Sequence, residues 1–207
     1  MTFTGKITNP DVPASAATIH RRFLQDRLEK ITGHRLTLVN APPGYGKTTG
    51  MAQYIKQSGL PCAWHAIEEV ERDLPNLWRH SLRALEFIAP GISESGGRLH
   101  SSPEEAAAFI ANYIQDHVPQ ESIYVLDDLH LIIGAVKAEQ WLQSLVRLMP
   151  ARCHLVLLTR ALPDLPLAEL IAGGGVLAIG QDQLRFTRAD APYLTKLADE
   201  PVSVAQV

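Results

Sequence analysis

The feature that most constrains this chain is a glycine-containing turn that directly follows a short apolar run. The apolar run is residues 36–39 (LTLV), and the turn, residues 41–49, reads APPGYGKTT. The motif G-x-x-x-x-G-K-[ST] is typical of loops that bind phosphate groups between a strand and a helix. The turn matches this motif at residues 46–48 and departs from it at Ala41, which stands in place of a glycine. We therefore predict a phosphate-binding loop; a glycine-rich turn without a ligand is the alternative interpretation.

The residue types in this turn suit a polyphosphate ligand. Gly44 and Gly46 let the backbone curl so that successive N–H groups point inward, and the dipole of the following helix adds positive potential. Lys47 would reach the β- and γ-phosphates, and the Thr48 hydroxyl is a hard oxygen ligand for the accompanying Mg²⁺. Pro43 has no N–H and adds no donor. We assign nucleotide contacts to Pro43, Gly44, Tyr45, Gly46, Lys47, Thr48 and Thr49.

Composition narrows the functional class. The chain has 207 residues, of which 46% are hydrophobic and 20% charged, as is usual for a globular protein of one large domain. Its 19 basic residues are outnumbered by 22 acidic ones, whereas binding to DNA needs clustered Lys and Arg. The densest basic cluster, residues 21–27, is expected to face nucleotide or solvent, and the residues after Leu197 are too few for a helix-turn-helix. We expect no direct DNA binding by this chain.

The two cysteines and the start of the chain bear on its compartment. Cys62 and Cys153 each lie in or beside an apolar, strand-like run, which favours reduced, buried thiols over a disulfide or a zinc site. The first residues lack the basic-then-apolar pattern of a signal peptide, and no apolar run approaches the ~20 residues that span a bilayer. We expect a cytoplasmic protein without membrane association.

Hydrophobic periodicity predicts alternating helices and strands. The first helix, which ends near Gly33, has an inward stripe that includes Phe23 and Leu24, and it leaves Arg21 and Gln25 on the other face. The acidic cluster 68–73 and the Ser/Gly stretch 92–97 are predicted to be loops, and a last helix is expected after Thr187. Further helices are predicted at about 48–57, 74–88, 103–117, 141–148 and 165–172, and strands at 36–39, 62–67, 122–126, 153–158 and 176–179.

A second landmark lies at the ends of two later strands. Residues 122–126 (SIYVL) lead into Asp127 and Asp128, and the strand at 153–158 is followed closely by Arg160. Open α/β sheets bind ligands at the carboxyl ends of their strands. Repeated strand and helix patterns with polar residues at the strand ends predict a P-loop NTPase fold, which is a three-layer αβα sandwich around a mostly parallel five-stranded sheet.

Three charged residues at these strand ends are candidates for catalysis and metal binding. In P-loop enzymes a carboxylate on a neighbouring strand holds Mg²⁺ and a second acid positions the attacking water. We assign these roles to Asp127 and Asp128, with a turn cap as the alternative role of Asp128. Arg160 either senses the γ-phosphate through its planar, permanently charged guanidinium or forms a surface salt bridge. Lys47 completes the predicted catalytic set.

Five stretches together resemble the ATPase module of the large LuxR-type transcriptional activators, of the maltose-regulon type. The resemblance covers about residues 6–198. It implies the STAND class of signal-transducing ATPases, related to AAA+ proteins, in which ADP holds an inactive monomer while ATP and an inducer permit self-association. The five stretches are residues 41–49 (APPGYGKTT), 64–68 (WHAIE), 125–132 (VLDDLHLI), 154–160 (HLVLLTR) and 182–187 (DQLRFT).

The resemblance implies further properties of particular residues. Arg21 falls where the segment before the first strand contacts the nucleotide near its base or ribose. Gly50 stands where the family has a larger apolar residue, so the packing of that helix departs from the family pattern. Glu68, Glu71 and Asp73 retain acid in an acidic loop common to the family.

The chain divides into three parts on this reading. An extended lead-in (residues 1–16) precedes a P-loop ATPase domain (17–186), and residues 187–207 begin a truncated helical or winged-helix segment. Family members continue into a winged helix, a helical-repeat sensor region and a C-terminal helix-turn-helix, for which the remaining residues are too few.

Three functions are consistent with the sequence. The first is an ATP/ADP-binding regulatory switch with Mg²⁺ as cofactor, slow hydrolysis and ATP-dependent self-association, acting in transcriptional control. The second is a small stand-alone P-loop ATPase or kinase, although the arginines are scattered rather than clustered in a lid. The third is a nucleotide-binding module without turnover.

Overall fold

Strands and helices alternate along the part of the chain that the computed structural model describes, residues 21–97, 102–166, 170–171 and 174–186. The helices are α1 (Arg22–Leu28), α2 (Lys47–Ser58), α3 (Leu74–Leu85), α4 (Ile92–Gly96), α5 (Pro103–His117), α6 (Val136–Leu148) and α7 (Gln181–Leu184). The strands are β1 (Leu36–Asn40), β2 (Cys62–Ala66), β3 (Ser122–Asp127), β4 (Cys153–Thr159) and β5 (Val176–Ile179). Short 3₁₀ turns cover Glu29–Gly33, Glu69–Arg72 and Leu129–Ile132.

The five strands form one sheet in the order β2-β3-β4-β1-β5, and every neighbouring pair is parallel. Strand β4 therefore lies between β1 and β3. The strand that ends in Asp127 is thus not the immediate neighbour of the loop-bearing strand, and hydrophobic periodicity does not predict this lateral order. The parallel direction still brings the carboxyl ends of β1, β3 and β4 to one edge of the sheet.

Two apolar cores cover the two faces of this sheet. Successive residues of a strand point to opposite sides, and the buried side chains divide accordingly. Leu38 and Leu126 pack with α3, α5 and α6, whereas Val39 and Val125 pack with α1, α2 and α7. The three-layer αβα sandwich predicted from the sequence is confirmed.

Local signals in the sequence set several element boundaries. Gly59, at a φ of +69°, ends α2 in the left-handed conformation, which glycine adopts without steric cost. The Ser102 hydroxyl accepts a hydrogen bond from the Glu105 N–H and caps α5, which satisfies one of the unpaired donors of the first turn. These boundaries follow the sequence because the signals act within a few residues.

Other predictions are wrong or lie outside the described residues. The stretch 92–97, predicted as a loop, contains α4, and the acidic cluster contains the 3₁₀ turn Glu69–Arg72. The helix predicted at 165–172 is described only in part, and the lead-in 1–16 and the segment 187–207, with the helix after Thr187, lie outside the described residues. No helix in the described ranges has the length and apolar character to span a bilayer.

Helix α1 faces the core differently from the prediction. Phe23, expected in the inward stripe, is 48% exposed, whereas Arg21 and Gln25, expected on the polar face, are 6% and 5% exposed. The Gln25 side-chain amide donates to the Gly50 carbonyl oxygen (3.4 Å), and Arg21 reaches backbone carbonyls described below. These polar side chains turn inward because backbone acceptors face them, which a hydropathy pattern does not record.

The packing of α1 on α2 accounts for the glycine at position 50. A Cβ atom built on Gly50 would lie 2.6 Å from Cδ2 of Leu24, a separation that packed carbon atoms do not reach. Leu24 fills the volume that a larger residue at position 50 would occupy. Glycine at position 50 therefore leaves room for a leucine on the facing helix.

Both cysteines are buried thiols, Cys62 on β2 and Cys153 on β4, as predicted. Burial disfavours the thiolate and raises the pKa of both groups, that of Cys153 to about 12. Neither thiol is therefore an activated nucleophile near neutral pH.

Candidate functional site

The loop between β1 and α2 owes its shape to two glycines. Gly44 and Gly46 have φ values of +81° and +75°, in the left-handed region that favours glycine. Gly46 is the residue immediately before α2. A Cβ atom at Gly46 would lie 3.2 Å from Nη1 of Arg21. The backbone conformation therefore favours glycine at the entry to α2, and a larger residue would also require a small shift of Arg21.

Replacing Gly46 by alanine is expected to lower the free energy of unfolding by roughly 1–2 kcal/mol, the cost of an L-residue in the left-handed region. Gly33→Ala is the matched control, because Gly33 lies outside that region and no atom lies within 4 Å of its Cβ position. Urea denaturation of the two variants measures the difference. Equal losses of stability in both would contradict this explanation.

Lys47, the first residue of α2, is held at the mouth of the loop. Its ammonium donates hydrogen bonds to the carbonyl oxygens of Ala41 (2.7 Å) and Pro42 (3.1 Å). Burial lowers the pKa of Lys47, and the nearby Arg160 lowers it further, while Asp127 and its neighbouring acid partly offset this. The ammonium is thus partly desolvated and lies close to the carboxylates of β3.

Thr48 and Asp127 meet as the sequence predicts for a metal site. The Thr48 hydroxyl donates a hydrogen bond to Oδ1 of Asp127 (3.2 Å), and the same oxygen accepts from the Asp128 N–H (2.9 Å). Burial raises the pKa of Asp127, and the hydrogen bonds from Thr48 and the Asp128 backbone oppose this shift. A hydroxyl beside a buried carboxylate is an oxygen donor set that fits Mg²⁺.

Asp128 occupies an uncommon backbone conformation. Its φ is 53° and its ψ is 33°, and within the described residues it is the one non-glycine residue at positive φ. Such conformations cost free energy and cluster at functional sites, although Asp and Asn tolerate them better than other residues.

Arg160 and His130 both approach Asp128. The Arg160 guanidinium forms an ion pair with Oδ1 of Asp128 (3.3 Å), and Nδ1 of His130 lies 3.7 Å from the same oxygen. Burial lowers the pKa of His130, and Arg160 lowers it further. Arg160 therefore forms a salt bridge, which was the alternative role predicted for it. Its partner, Asp128, is itself a predicted site residue.

Arg21 lies under the loop. Its guanidinium donates to the backbone carbonyls of Tyr45 (3.2 Å) and Leu184 and stacks over the Phe186 ring, 4.4 Å from its centroid. Arg21 is buried among backbone acceptors and does not face solvent; its contact with a nucleotide stays a prediction. Arg21 joins the loop to the segment that follows β5.

The remaining predicted contact residues line the outer side of the loop. Pro43 and Thr49 are exposed, and Tyr45 is half-buried, with its ring against the core that α1 and α2 cover. Within the loop and its helix, Thr48 donates a hydrogen bond to Asp127, and Lys47 interacts electrostatically with Asp127 and Asp128.

Two features near this edge of the sheet were not predicted. Glu71, expected in a solvated loop, is fully buried and accepts hydrogen bonds from His65, His80 and the Glu68 N–H. Burial acts to raise the pKa of Glu71, but the hydrogen bonds from the two histidines and the backbone outweigh it, and the pKa is lowered. The Glu68-x-x-Glu71 spacing, a capping box, is the signal that could have indicated an ordered turn.

Arg72 ties this turn to the residues after Asp128. Its guanidinium donates to the carbonyl oxygens of Leu131 (2.8 Å) and Ile133 (3.1 Å). These carbonyls belong to the 3₁₀ turn Leu129–Ile132 and its end. The Glu69–Arg72 turn therefore braces the backbone that holds Asp128 at positive φ.

A cavity of about 570 Å³ lies elsewhere on the molecule. Its lining includes Arg35, Leu36 at the start of β1, and Gly175 just before β5. The cavity thus lies at the amino ends of these strands, and residues 41–49 do not line it. It is separate from the predicted nucleotide site, which lies at the carboxyl ends.

The parallel sheet, the loop after β1 and the carboxylates at the end of β3 define an α/β domain of the P-loop ATPase type. Solved structures share this fold. A STAND protein (signal transduction ATPase with numerous domains) with a tetratricopeptide repeat sensor from Pyrococcus horikoshii gives a TM-score of 0.59 at 14% identity, over 93% of this chain and 27% of that chain. Cdc6p from Pyrobaculum aerophilum gives a TM-score of 0.53 at 17% identity, over 83% of this chain and 48% of its own.

Sequence similarity identifies the relatives more closely. The HTH-type transcriptional regulator MalT of Serratia proteamaculans is 33% identical over 179 residues, which are 84% of this chain and 20% of MalT. MalT of Yersinia enterocolitica is 31% identical over the same length. This chain is a homologue of part of MalT, which confirms the resemblance seen in the sequence, and it spans about a fifth of the length of these relatives. No protein-family model matches the chain.

Proposed function

We propose that this chain is an ATP/ADP-binding switch module of a signal-responsive transcriptional regulator, with Mg²⁺ as cofactor and slow hydrolysis of ATP. The observation that carries the proposal is the grouping of Lys47, Thr48 and Asp127 at the carboxyl edge of the sheet. An ammonium, a hydroxyl and a buried carboxylate meet beside a glycine loop at a helix N-terminus. These are the groups that a Mg²⁺–polyphosphate requires.

Each group has a distinct proposed role. The Lys47 ammonium exchanges its two carbonyl partners for the oxygens of the β- and γ-phosphates. Thr48 and Asp127 would hold the Mg²⁺ ion, Thr48 through its hydroxyl and Asp127 through its carboxylate at the end of β3. Asp128 orients the attacking water. Electrostatic stabilisation and positioning supply most of the rate in phosphoryl transfer.

The ion pair between Arg160 and Asp128 supports a switch that senses the γ-phosphate. A γ-phosphate carries more negative charge than one carboxylate and presents several oxygens to a planar guanidinium. It would compete with Asp128 for Arg160. The exchange would free the Asp128 carboxylate for water only when a triphosphate is bound, and ADP would leave the ion pair in place.

The regulatory context is part of the proposal. The MalT proteins are named as HTH-type transcriptional regulators, and this chain corresponds to about a fifth of them. We propose that ATP promotes self-association of this module and that DNA recognition does not reside in this chain. The buried thiols Cys62 and Cys153 support a reducing, cytoplasmic setting.

Phosphate release with and without added small-molecule acceptors tests this proposal. We expect slow, Mg²⁺-dependent release of inorganic phosphate from ATP that acceptors do not change, because water is the proposed nucleophile. ADP formation that depends on an acceptor and releases no phosphate would instead show a kinase. Nucleotide binding without any product would show a module without turnover.

A further inference from the structure

A cluster of two histidines and one glutamate lies on the other face of the sheet from the loop helix α2. His65 comes from β2, Glu71 from the 3₁₀ turn after it and His80 from α3. Nε2 of His65 lies 2.7 Å from Oε2 of Glu71, and Nδ1 of His80 lies 3.0 Å from Oε1. One ligand atom from each residue lies within 4.8 Å of the others.

We propose that His65, Glu71 and His80 form a binding site for a divalent transition metal ion of the Zn²⁺ type. Two imidazoles and one carboxylate are an established ligand set for zinc, with the fourth position left to water. Imidazole nitrogen favours transition metals, whereas Mg²⁺ and Ca²⁺ prefer oxygen ligands. The site is therefore selective against the Mg²⁺ that would accompany a nucleotide.

Binding of such an ion requires the three side chains to rearrange. Zn²⁺ bonds of 2.0–2.1 Å in a tetrahedron place the ligand atoms about 3.3 Å apart. The two hydrogen-bonded separations, 2.7 Å and 3.0 Å, would open by roughly 0.3–0.6 Å. The two histidines contact different oxygens of Glu71, so ligand atoms that lie up to 4.8 Å apart would also have to move closer together. The imidazole N–H proton that now joins each ring nitrogen to Glu71 would move to the other nitrogen of the neutral ring as the ion binds, or be released to water from a protonated ring.

Neighbouring groups already orient the three side chains. Nδ1 of His65 lies 3.2 Å from the Tyr124 hydroxyl, so that the ring can bind the ion through Nε2 while Nδ1–H donates to oxygen. The Glu68 N–H donates to Oε1 of Glu71 (3.1 Å). Supporting hydrogen bonds of this kind fix the orientation of metal ligands and strengthen the site.

Partial exposure of the cluster gives a metal ion access to it and leaves one coordination position for water. His65 and Glu71 are 4% and 0% exposed, but His80 is 30% exposed. An ion can enter from the His80 side and keep water there. The site is also distinct from the Asp127 carboxylate, because Ala63 and Tyr124 around His65 belong to the core under α3 while Asp127 reaches Thr48 on α2.

Two titrations of the full chain test the site. Calorimetry detects the binding of Zn²⁺, and visible absorbance detects the binding of Co²⁺. We expect saturable binding that His80→Gln weakens at least tenfold, with Zn²⁺ raising the melting temperature of the unaltered chain more than that of His80→Gln. His117→Gln is the matched control, because His117 is an exposed histidine at the end of α5 that stacks on Tyr113 outside the cluster. It should bind as the unaltered chain does.

Glu71→Gln is a second variant that should lose metal affinity to the same extent. If removal of the buried carboxylate prevents folding, His80→Gln alone decides the test. Two results would overturn the proposal. One is the absence of saturable Zn²⁺ or Co²⁺ binding by the unaltered chain. The other is binding that His80→Gln leaves unchanged, which would place the ion elsewhere.

Discussion

Replacing Lys47 by alanine is expected to weaken the binding of ATP and ADP at least ~100-fold, about 3 kcal/mol. The change removes the one ammonium that the loop presents beside the carboxylates of β3. Alanine at position 47 cannot neutralise the charge of the β- and γ-phosphates, and the backbone N–H groups of the loop are neutral donors. Isothermal titration calorimetry with each nucleotide in the presence of Mg²⁺ gives the affinity.

Lys56→Ala is the matched control for this experiment. Lys56 lies in the last turn of the same helix and is exposed, so its loss removes the same charge without touching the loop. Circular dichroism and urea denaturation should show that both variants are folded. A folded Lys47→Ala protein that binds ATP with unchanged affinity would show that the nucleotide site is assigned to the wrong residues.

Replacing Asp128 by asparagine is expected to slow ATP hydrolysis by about 10²–10⁴-fold, the usual contribution of a general base. ATP affinity should not fall, because Asp128 is not among the proposed phosphate or metal ligands and its loss leaves Arg160 free for the γ-phosphate. Asparagine tolerates the left-handed conformation that Asp128 adopts, so the turn after β3 should persist. Phosphate release under single-turnover conditions measures the effect separately from binding.

Asp127→Asn provides the comparison that makes this test specific. Loss of the buried carboxylate beside the Thr48 hydroxyl should weaken the dependence of ATP binding on Mg²⁺. Titrations of ATP at several Mg²⁺ concentrations would show a flatter response than those of the Asp128→Asn variant. If both variants lose turnover and have identical binding profiles, the proposed division of roles between the two acids is wrong.

Much of the fold follows from short stretches of the sequence. The five strands, the entry to α2 at Gly46 and the end of α2 at Gly59 are set by apolar runs and by glycines at positive φ. Such signals act over a few residues and can be interpreted without tertiary structure. The meeting of Thr48 with Asp127 also follows, because parallel strands deliver their carboxyl ends to one edge.

The parts that were not predicted depend on contacts between distant elements. Gln25 turns inward because the Gly50 carbonyl faces it, and Phe23 is left exposed. Glu71 is buried because His65 and His80 donate to it from a strand and a helix. Hydropathy assigns each of these residues by its own polarity, whereas the buried hydrogen-bond partner decides its position.

The lateral order of the strands in the sheet is a further feature that the sequence does not predict. After each helix, the next strand can pair with the strand before it or leave a gap in the sheet that a later strand fills. In this sheet β4 fills the gap between β1 and β3. The pairing of Arg160 with Asp128 depends on this order, because β3 and β4 are neighbours. A single sequence with strong local patterns therefore locates strand ends along the chain more readily than the ion pairs that form between them.

The most direct test of the central claim is a calorimetric titration of the unaltered chain with ATP and with ADP, with and without Mg²⁺. The account predicts saturable binding of both nucleotides at one site, with ATP binding strengthened by Mg²⁺ because Thr48 and Asp127 hold the ion against the phosphates. Absence of saturable binding of either nucleotide to the folded chain would contradict the account.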